Sequence, residues 1–242
     1  MSFFYKKDNP VLKNINLKIN KGEFTAIAGP NGCGKTTLIK LICNLLKLKE
    51  GKIQFNGLSM QDIRVKCGIF YLPSDDYLPE FLNGMEYIHL LGRLYHKKIA
   101  QEEIDFFLRY LKLDDACYEI IETYSFGMKK KLQIICALLV NPELLIIDET
   151  LNGIDVESKM IIKLLLNNYV KEGGTILFCS HDLDLVEELC ERVVILYDGK
   201  IYLDQLTQDI KNTTLEKIFM DLINMDVVKS EIESGLQSFS NY

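Results

Sequence analysis

Phe24-Thr25-Ala26-Ile27-Ala28-Gly29-Pro30-Asn31-Gly32-Cys33-Gly34-Lys35-Thr36-Thr37 combines three local signals in succession. Phe24 to Ala28 reads as a strand buried on both faces, and it runs into a glycine-rich turn. A helix is predicted directly after the turn, from about Lys35 to Leu46. Between strand and helix, the spacing Gly29-x-x-x-x-Gly34-Lys35-Thr36 is that of a phosphate-binding P-loop. Glycines 29, 32 and 34 let the backbone N–H groups between residues 29 and 37 converge on phosphate oxygens, and the helix N-terminus adds positive potential at that spot. Lys35 is expected to reach the β- and γ-phosphates of a nucleoside triphosphate, and Thr36 to ligate Mg²⁺. Asn31, Gly32, Cys33, Gly34, Lys35, Thr36 and Thr37 form the expected nucleotide-binding set of this segment. For the Cys33 thiol two readings stand: a small residue tolerated in the loop, or a thiol of lowered pKa beside a helix N-terminus and phosphates.

Outward from this segment the chain alternates strand-like and helix-like stretches, the pattern of an α/β sheet with helices on its faces. Leu144-Leu145-Ile146-Ile147 is a second buried strand, ending in Asp148 and Glu149. Asp148 is placed to hold a magnesium shell through water. Glu149 points elsewhere because side chains alternate along a strand, and it is the candidate base that accepts a hydrogen bond from an attacking water. A third strand, Thr175 to Cys179, ends at Ser180-His181, and a fourth, Arg192 to Leu196, precedes a turn at Asp198-Gly199. Residues 76–141 are mostly helical in pattern, with Ile104, Phe107, Leu108 and Leu111 on one face. Beyond Asp204 a polar, helix-prone tail places Leu215, Ile218, Phe219 and Leu222 at helical spacing.

Composition narrows the function. The 242 residues are 48% hydrophobic, which supplies a sizeable core and excludes disorder as the main state. Lys and Arg number 28 against 34 Asp and Glu; a formal charge of −6 leaves no basic excess for a nucleic-acid backbone. The longest apolar run, Ile134 to Val140, is far shorter than the roughly 18 to 20 residues that span a bilayer. No basic segment followed by an apolar one opens the chain, so a cytosolic location is the expectation. Seven cysteines without a C-x-x-C pair argue against a disulfide framework or thiolate zinc site, and most are expected to be reduced and buried. His89, His96 and His181 form no metal pattern.

With the P-loop and the Asp148-Glu149 pair, an ordered set of further stretches from about Tyr5 to Leu203 resembles the ATP-binding subunit of an ATP-binding cassette (ABC) transporter of export type. Tyr124-Ser125-Phe126-Gly127-Met128 is similar to the family's signature loop, usually Leu-Ser-Gly-Gly-Gln, with Ser125 and Gly127 matching. Lys129, Lys130 and Lys131 after it are expected on a solvated helix face. Thr150-Leu151-Asn152-Gly153-Ile154-Asp155 resembles the D-loop; Thr150 replaces the usual proline, which predicts a less rigid loop. His181, in Cys179-Ser180-His181-Asp182, matches the switch histidine. After Phe70-Tyr71-Leu72-Pro73 the family carries a magnesium-binding Gln or Glu, and here Ser74 offers a short hydroxyl instead, followed by Asp75 and Asp76. Tyr5 lies at the spacing of the aromatic residue that stacks on adenine, on a first strand expected to be shortened or absent.

The resemblance implies an α/β fold: a P-loop NTPase (RecA-like) core with an ABC-type antiparallel β region and a helical subdomain. Residues 1–204 would be the nucleotide-binding domain, with the helical subdomain at about 76–141, and 205–242 a helical extension whose last dozen residues are expected to be mobile. It further implies ATP and Mg²⁺ as ligands and ATP hydrolysis by Glu149, His181 and Lys35, with Thr36, Asp148 and Ser74 toward the metal. A second nucleotide-binding subunit, identical or similar, would receive Ser125 and Gly127 on its nucleotide. Separate transmembrane permease subunits would hold the protein at the inner face of the cell membrane, with coupling helices received near Ser74 to Phe81. The Tyr-Ser-x-Gly-Met form and the Thr214–Phe219 tail resemble export subunits. Two other readings stand beside it: a soluble ABC ATPase without a membrane partner, and an ATP-binding structural subunit that hydrolyses little, favoured by Phe126 and Ser74.

Overall fold

Residues 1–6, 9–211 and 213–224 are described by the computed structural model of the chain; the mobile end expected for the last dozen residues lies outside them. Its strands are β1 (Phe3–Lys6), β2 (Asn9–Leu12), β3 (Phe24–Ala28), β4 (Gln54–Phe55), β5 (Leu58–Ser59), β6 (Ile69–Leu72), β7 (Leu144–Asp148), β8 (Thr175–Cys179), β9 (Arg192–Tyr197) and β10 (Lys200–Leu206). Its helices are α1 (Lys35–Ile42), α2 (Ile63–Lys66), α3 (Gly84–Leu94), α4 (Gln101–Tyr110), α5 (Phe126–Val140), α6 (Val156–Lys171), α7 (Leu183–Leu189) and α8 (Leu215–Leu222).

Six strands form one sheet in the order β10-β9-β3-β8-β7-β6, parallel throughout except for the edge strand β10. The four strands expected from their apolar runs are its centre, and β3, β7 and β8 are buried at every position. Burial on both faces explains why their sequences do not alternate. Alternate residues nonetheless serve opposite layers. Ala26, Leu145 and Phe178 pack with the α3, α4, α5 and α6 side, and Ile27, Ile146 and Leu177 with Leu38 and Ile39 of α1. Edge strand β10 does alternate, half-buried against exposed, and a two-residue turn with positive φ at Asp198 and Gly199 joins it to β9.

The antiparallel region consists of two short pairs, β1 with β2 and β4 with β5, the second closed by an Asn56-Gly57 turn. The first strand is thus present, as the four residues of β1, anchored by the buried Phe3. Helix α1 stops at Ile42, short of the expected Leu46, because Asn44 adopts a left-handed conformation and the Leu45 amide closes on the Lys40 carbonyl at 2.8 Å. In α4, Ile104 and Leu108 face inward as their spacing predicts, with Leu111 buried just beyond the helix. All seven cysteines are free, and Cys33, Cys117, Cys136, Cys179 and Cys190 are buried.

Lys129, Lys130 and Lys131 correct an expectation: all three are buried. Helix α5 is enclosed on nearly every side, so the triplet has no solvated face. Each cation is compensated instead. Lys129 pairs with Glu80 at 2.6 Å, Lys131 with Asp155 at 2.9 Å, and Lys130 is surrounded by backbone carbonyls.

The entry to β8 is tightly packed. Tyr169 donates its hydroxyl to the Pro142 carbonyl at 2.5 Å, and its ring covers Gly174 so closely that a Cβ there would overlap it. Gly174→Ala is expected to destabilise the protein by about 1–3 kcal/mol, the usual cost of overpacking, read as a lower urea midpoint with an unchanged slope.

Candidate active site

Parallel strands bring their carboxyl ends to one edge of the sheet. β3 there delivers Gly29, β8 delivers Ser180-His181, β7 delivers Asp148-Glu149 and β6 delivers Pro73-Ser74. A cleft of about 420 Å³ at this edge is lined by Tyr5, Val11, Asn31, Gly32, Gly34, Lys35, Thr36, Thr37, Ser74, Asp148 and Glu149. A larger cavity of about 540 Å³ lies beside β4, among Leu17, Ile19, Ile42 and Phe55, and gathers none of the motif residues.

Within the P-loop, Gly34 sits at φ 109°, where a side chain is strained, and a Cβ there would meet the Leu12 side chain at 2.7 Å. It begins α1 without a side-chain cap, so the first amides of the helix remain available to an anion. Lys35 is 7% exposed, and its ammonium is held by the Gly29 carbonyl at 2.7 Å and the Pro30 carbonyl at 3.2 Å. Cys33 is the member of the expected set that does not line the cleft. Its amide donates to the Pro30 carbonyl at 3.3 Å, and its thiol turns inward against Gly29. Burial pushes that thiol up, outweighing the nearby Lys35, so the lowered-pKa reading is overturned.

Tyr5 stands exposed at the cleft wall, its hydroxyl sharing a 3.3 Å hydrogen bond with Thr37 and its ring set edgewise against Phe3. Asp148 is buried, which raises its carboxyl pKa, while Tyr71 donates its phenol to Asp148 Oδ2 at 3.3 Å and opposes the rise. Neither Tyr71 nor Val11 was singled out by sequence reasoning. Tyr71 lies in the Phe70–Pro73 stretch before Ser74, but only the β6–β7 register, Tyr71 beside Ile146, brings it to Asp148.

Glu149 leaves the strand direction with φ 54°, and its amide donates to the Cys179 carbonyl at 2.9 Å. That turn carries its carboxylate to His181, whose Nδ1 lies 2.9 Å from Glu149 Oε1; the Nδ1–H tautomer donates to the carboxylate. Strand-end residues 32 positions apart thereby form one acid–base pair.

Ser125 and Gly127 stand off this cleft. The Ser125 hydroxyl caps α5 by accepting from the Met128 amide at 3.3 Å. Gly127 lies so close to the D-loop that a Cβ would be 3.1 Å from the Gly153 carbonyl, and the Phe126 ring, 46% exposed, folds over Gly153. Asp155 joins the same contact through Lys131. Thr150 corrects the expectation of a looser D-loop. It is fully buried, and its hydroxyl lies 3.1 Å from both the Leu72 and Pro73 carbonyls, a tie that proline could not make.

A P-loop, strand-end carboxylates on a parallel sheet and a helical insertion define a P-loop ATPase of the cassette type. Residues 12–152 match the family described as ABC transporter. The chain is 35% identical over 212 residues to the uncharacterized ABC transporter ATP-binding protein YdbJ of Bacillus subtilis, covering 86% of this chain and 68% of the relative. It is 30% identical over 195 residues to the SkfA peptide export ATP-binding protein SkfE of the same organism, covering 80% and 82%. The solved dimer of the ATP-binding cassette MJ0796 in a post-hydrolysis state with ADP and Pi superposes with a TM-score of 0.74 at 25% identity, over 85% of this chain and 95% of that one. The chain belongs to the ABC transporter family and is an ATP-binding, ATP-hydrolysing subunit.

Two outcomes follow from the site's electrostatics. The Asp155 carboxyl is held well below the usual range, first by Lys131 and then by the Ser158 amide, so its stabilising effect is present above the unfolded-state pKa and lost as pH falls through the folded one. Wild type should progressively lose its urea-midpoint advantage over Asp155→Asn as the pH falls from about 5 to about 1. Iodoacetamide near neutral pH should label the exposed Cys67 and leave Cys33 unmodified, as peptide mass mapping would record.

Proposed function

We propose that Lys35, Glu149 and His181 carry out the hydrolysis, and that the nucleotide lies along Tyr5 and residues 31–37. The observation that carries this reading is the single cleft in which the P-loop, Asp148 and Glu149 converge, with His181 bonded to Glu149. Lys35 exchanges the Gly29 and Pro30 carbonyls for phosphate oxygens, and the orphan amides of α1 receive the remaining charge. Glu149, oriented by His181, accepts a hydrogen bond from water aligned on the γ-phosphorus; water adds as the β–γ bridging bond breaks, giving ADP and phosphate. Tyr5 offers its ring to adenine. Thr36, Asp148 and Ser74 supply hard oxygen donors suited to Mg²⁺, Asp148 through water. The described residues include no cluster of three or more His, Cys, Asp or Glu that could hold a metal, so phosphate and water would complete the shell. When bound, Mg²⁺ neutralises and orients phosphate charge.

Ser125 and Gly127 act on the nucleotide of a second subunit, a copy of this chain or a similar one. Their distance from their own cleft and the dimeric arrangement of the MJ0796 cassette support this. No helix among the described residues is long and apolar enough to cross a membrane, and the exposed Tyr77 and Phe81 offer separate permease subunits an apolar foothold. Through them the protein works at the inner face of the cell membrane. Residues 1–204 serve as the nucleotide-binding domain, 76–141 as its helical subdomain, and 205–242 as an extension. In that extension α8 docks on α7, the Leu215 amide donating to Glu187 at 2.5 Å. The export direction is supported by the Tyr-Ser-x-Gly-Met form and by the SkfE relative. Glu149→Gln should lower turnover by about 10²-fold or more and accumulate an ATP-bound dimer on size-exclusion chromatography with light scattering. Wild-type turnover in that variant would remove Glu149 from the mechanism.

A further inference from the structure

Lys130 has no exposed surface and takes no part in the chemistry derived above. Burying an ammonium costs several kcal/mol unless its donors are satisfied. Its three N–H groups meet three consecutive carbonyls, those of Pro73 at 3.2 Å, Ser74 at 2.5 Å and Asp75 at 2.9 Å. The ammonium also lies 5.3 Å from the centre of the Phe126 ring. Gln133, one turn along α5, adds a longer bond to the Asp75 carbonyl at 3.4 Å. From the D-loop, the Thr150 hydroxyl reaches the Leu72 and Pro73 carbonyls.

The position of these bonds matters because peptide groups are planar. Drawing the Pro73 and Ser74 carbonyls to one point sets the two peptide planes that flank the Ser74 Cα, and with them the direction of its Cβ. A glutamine at this position could search the cleft with a long side chain. Serine has one rotatable bond to its hydroxyl oxygen, so its reach is decided by the backbone that carries it.

We propose that Lys130 is a positioning residue, whose buried ammonium clamps the peptide planes on both sides of Ser74, aims that hydroxyl into the triphosphate cleft, and ties the loop to α5, the helix capped by Ser125. The inference deepens the reading of Ser74 as part of the nucleotide site and rests on it. It also accounts for a lysine in the closed interior of α5, where an apolar residue would pack without any desolvation cost.

The test compares Lys130→Met, which keeps length and loses every donor, with Lys130→Gln, which keeps two donors without the charge. Both are made in the full chain and measured with Mg-ATP. Lys130→Met should lower kcat about tenfold while KM for ATP moves less than about twofold, because the P-loop amides are untouched. Chymotrypsin should cut the nucleotide-free variant after Tyr77, 84% exposed beside the clamped loop, about tenfold faster than wild type. Lys130→Gln should fall between the two on both readouts. Unchanged kcat and cleavage in Lys130→Met would overturn the proposal. So would equal losses in both variants accompanied by a general rise in cleavage, or failure of both to fold, since each assigns Lys130 to the core alone. A wild type that neither binds nor hydrolyses Mg-ATP would remove the site reading and this inference together, whereas normal wild-type turnover with an indifferent Lys130 removes only the inference.

Discussion

The parallel pairing of β3, β8, β7 and β6 is the constraint on which the site depends. Strands running the same way end at the same edge, and the register brings Ile27, Cys179 and Asp148 level across three of them. The P-loop, His181, the carboxylates and Ser74 then leave the sheet within a few strand spacings, each roughly 4.8 Å. An antiparallel neighbour at any of these places would send one group to the far edge. Among the described residues the antiparallel member of this sheet, β10, sits away from the cleft, beyond β9.

Electrostatics within that edge are arranged by burial. Asp148 is buried at its strand end, and Lys35 is nearly so, held by carbonyls of its own loop. The Lys35 charge is thus compensated before any phosphate arrives, which limits the reorganisation that binding demands, whereas burial leaves the Asp148 carboxyl with a raised pKa that the Tyr71 phenol only opposes. Glu149 and His181 are more exposed and face one another, with His181 Nδ1 2.9 Å from the Glu149 carboxylate.

Polar satisfaction also binds the separate loops into one body. Lys129, Lys130 and Lys131 lie in the interior because Glu80, three carbonyls and Asp155 receive them. Those partners come from the Ser74 loop, the segment before α3 and the D-loop. Phe126 over Gly153 and Thr150 on Leu72 and Pro73 complete the connection. Departures from the family's usual residues at 74, 126 and 150 therefore meet in one packed region.

Much of this protein was legible along the chain. A glycine-rich turn between a buried strand and a helix specifies a phosphate cradle through backbone sterics alone, and an unbroken apolar run ending in Asp148-Glu149 specifies a strand end with carboxylates. The tertiary structure alone decided the rest. Whether Lys130 is solvated depends on carbonyls more than fifty residues away, whether Cys33 is reactive depends on which way its thiol turns, and whether Thr150 loosens a loop depends on what its hydroxyl meets. Tyr71 could be linked to Asp148 only once strand register was known. Local sequence sets backbone preference and periodicity, but burial and pairing are properties of segments distant in the chain, and they come into being only when the sheet assembles.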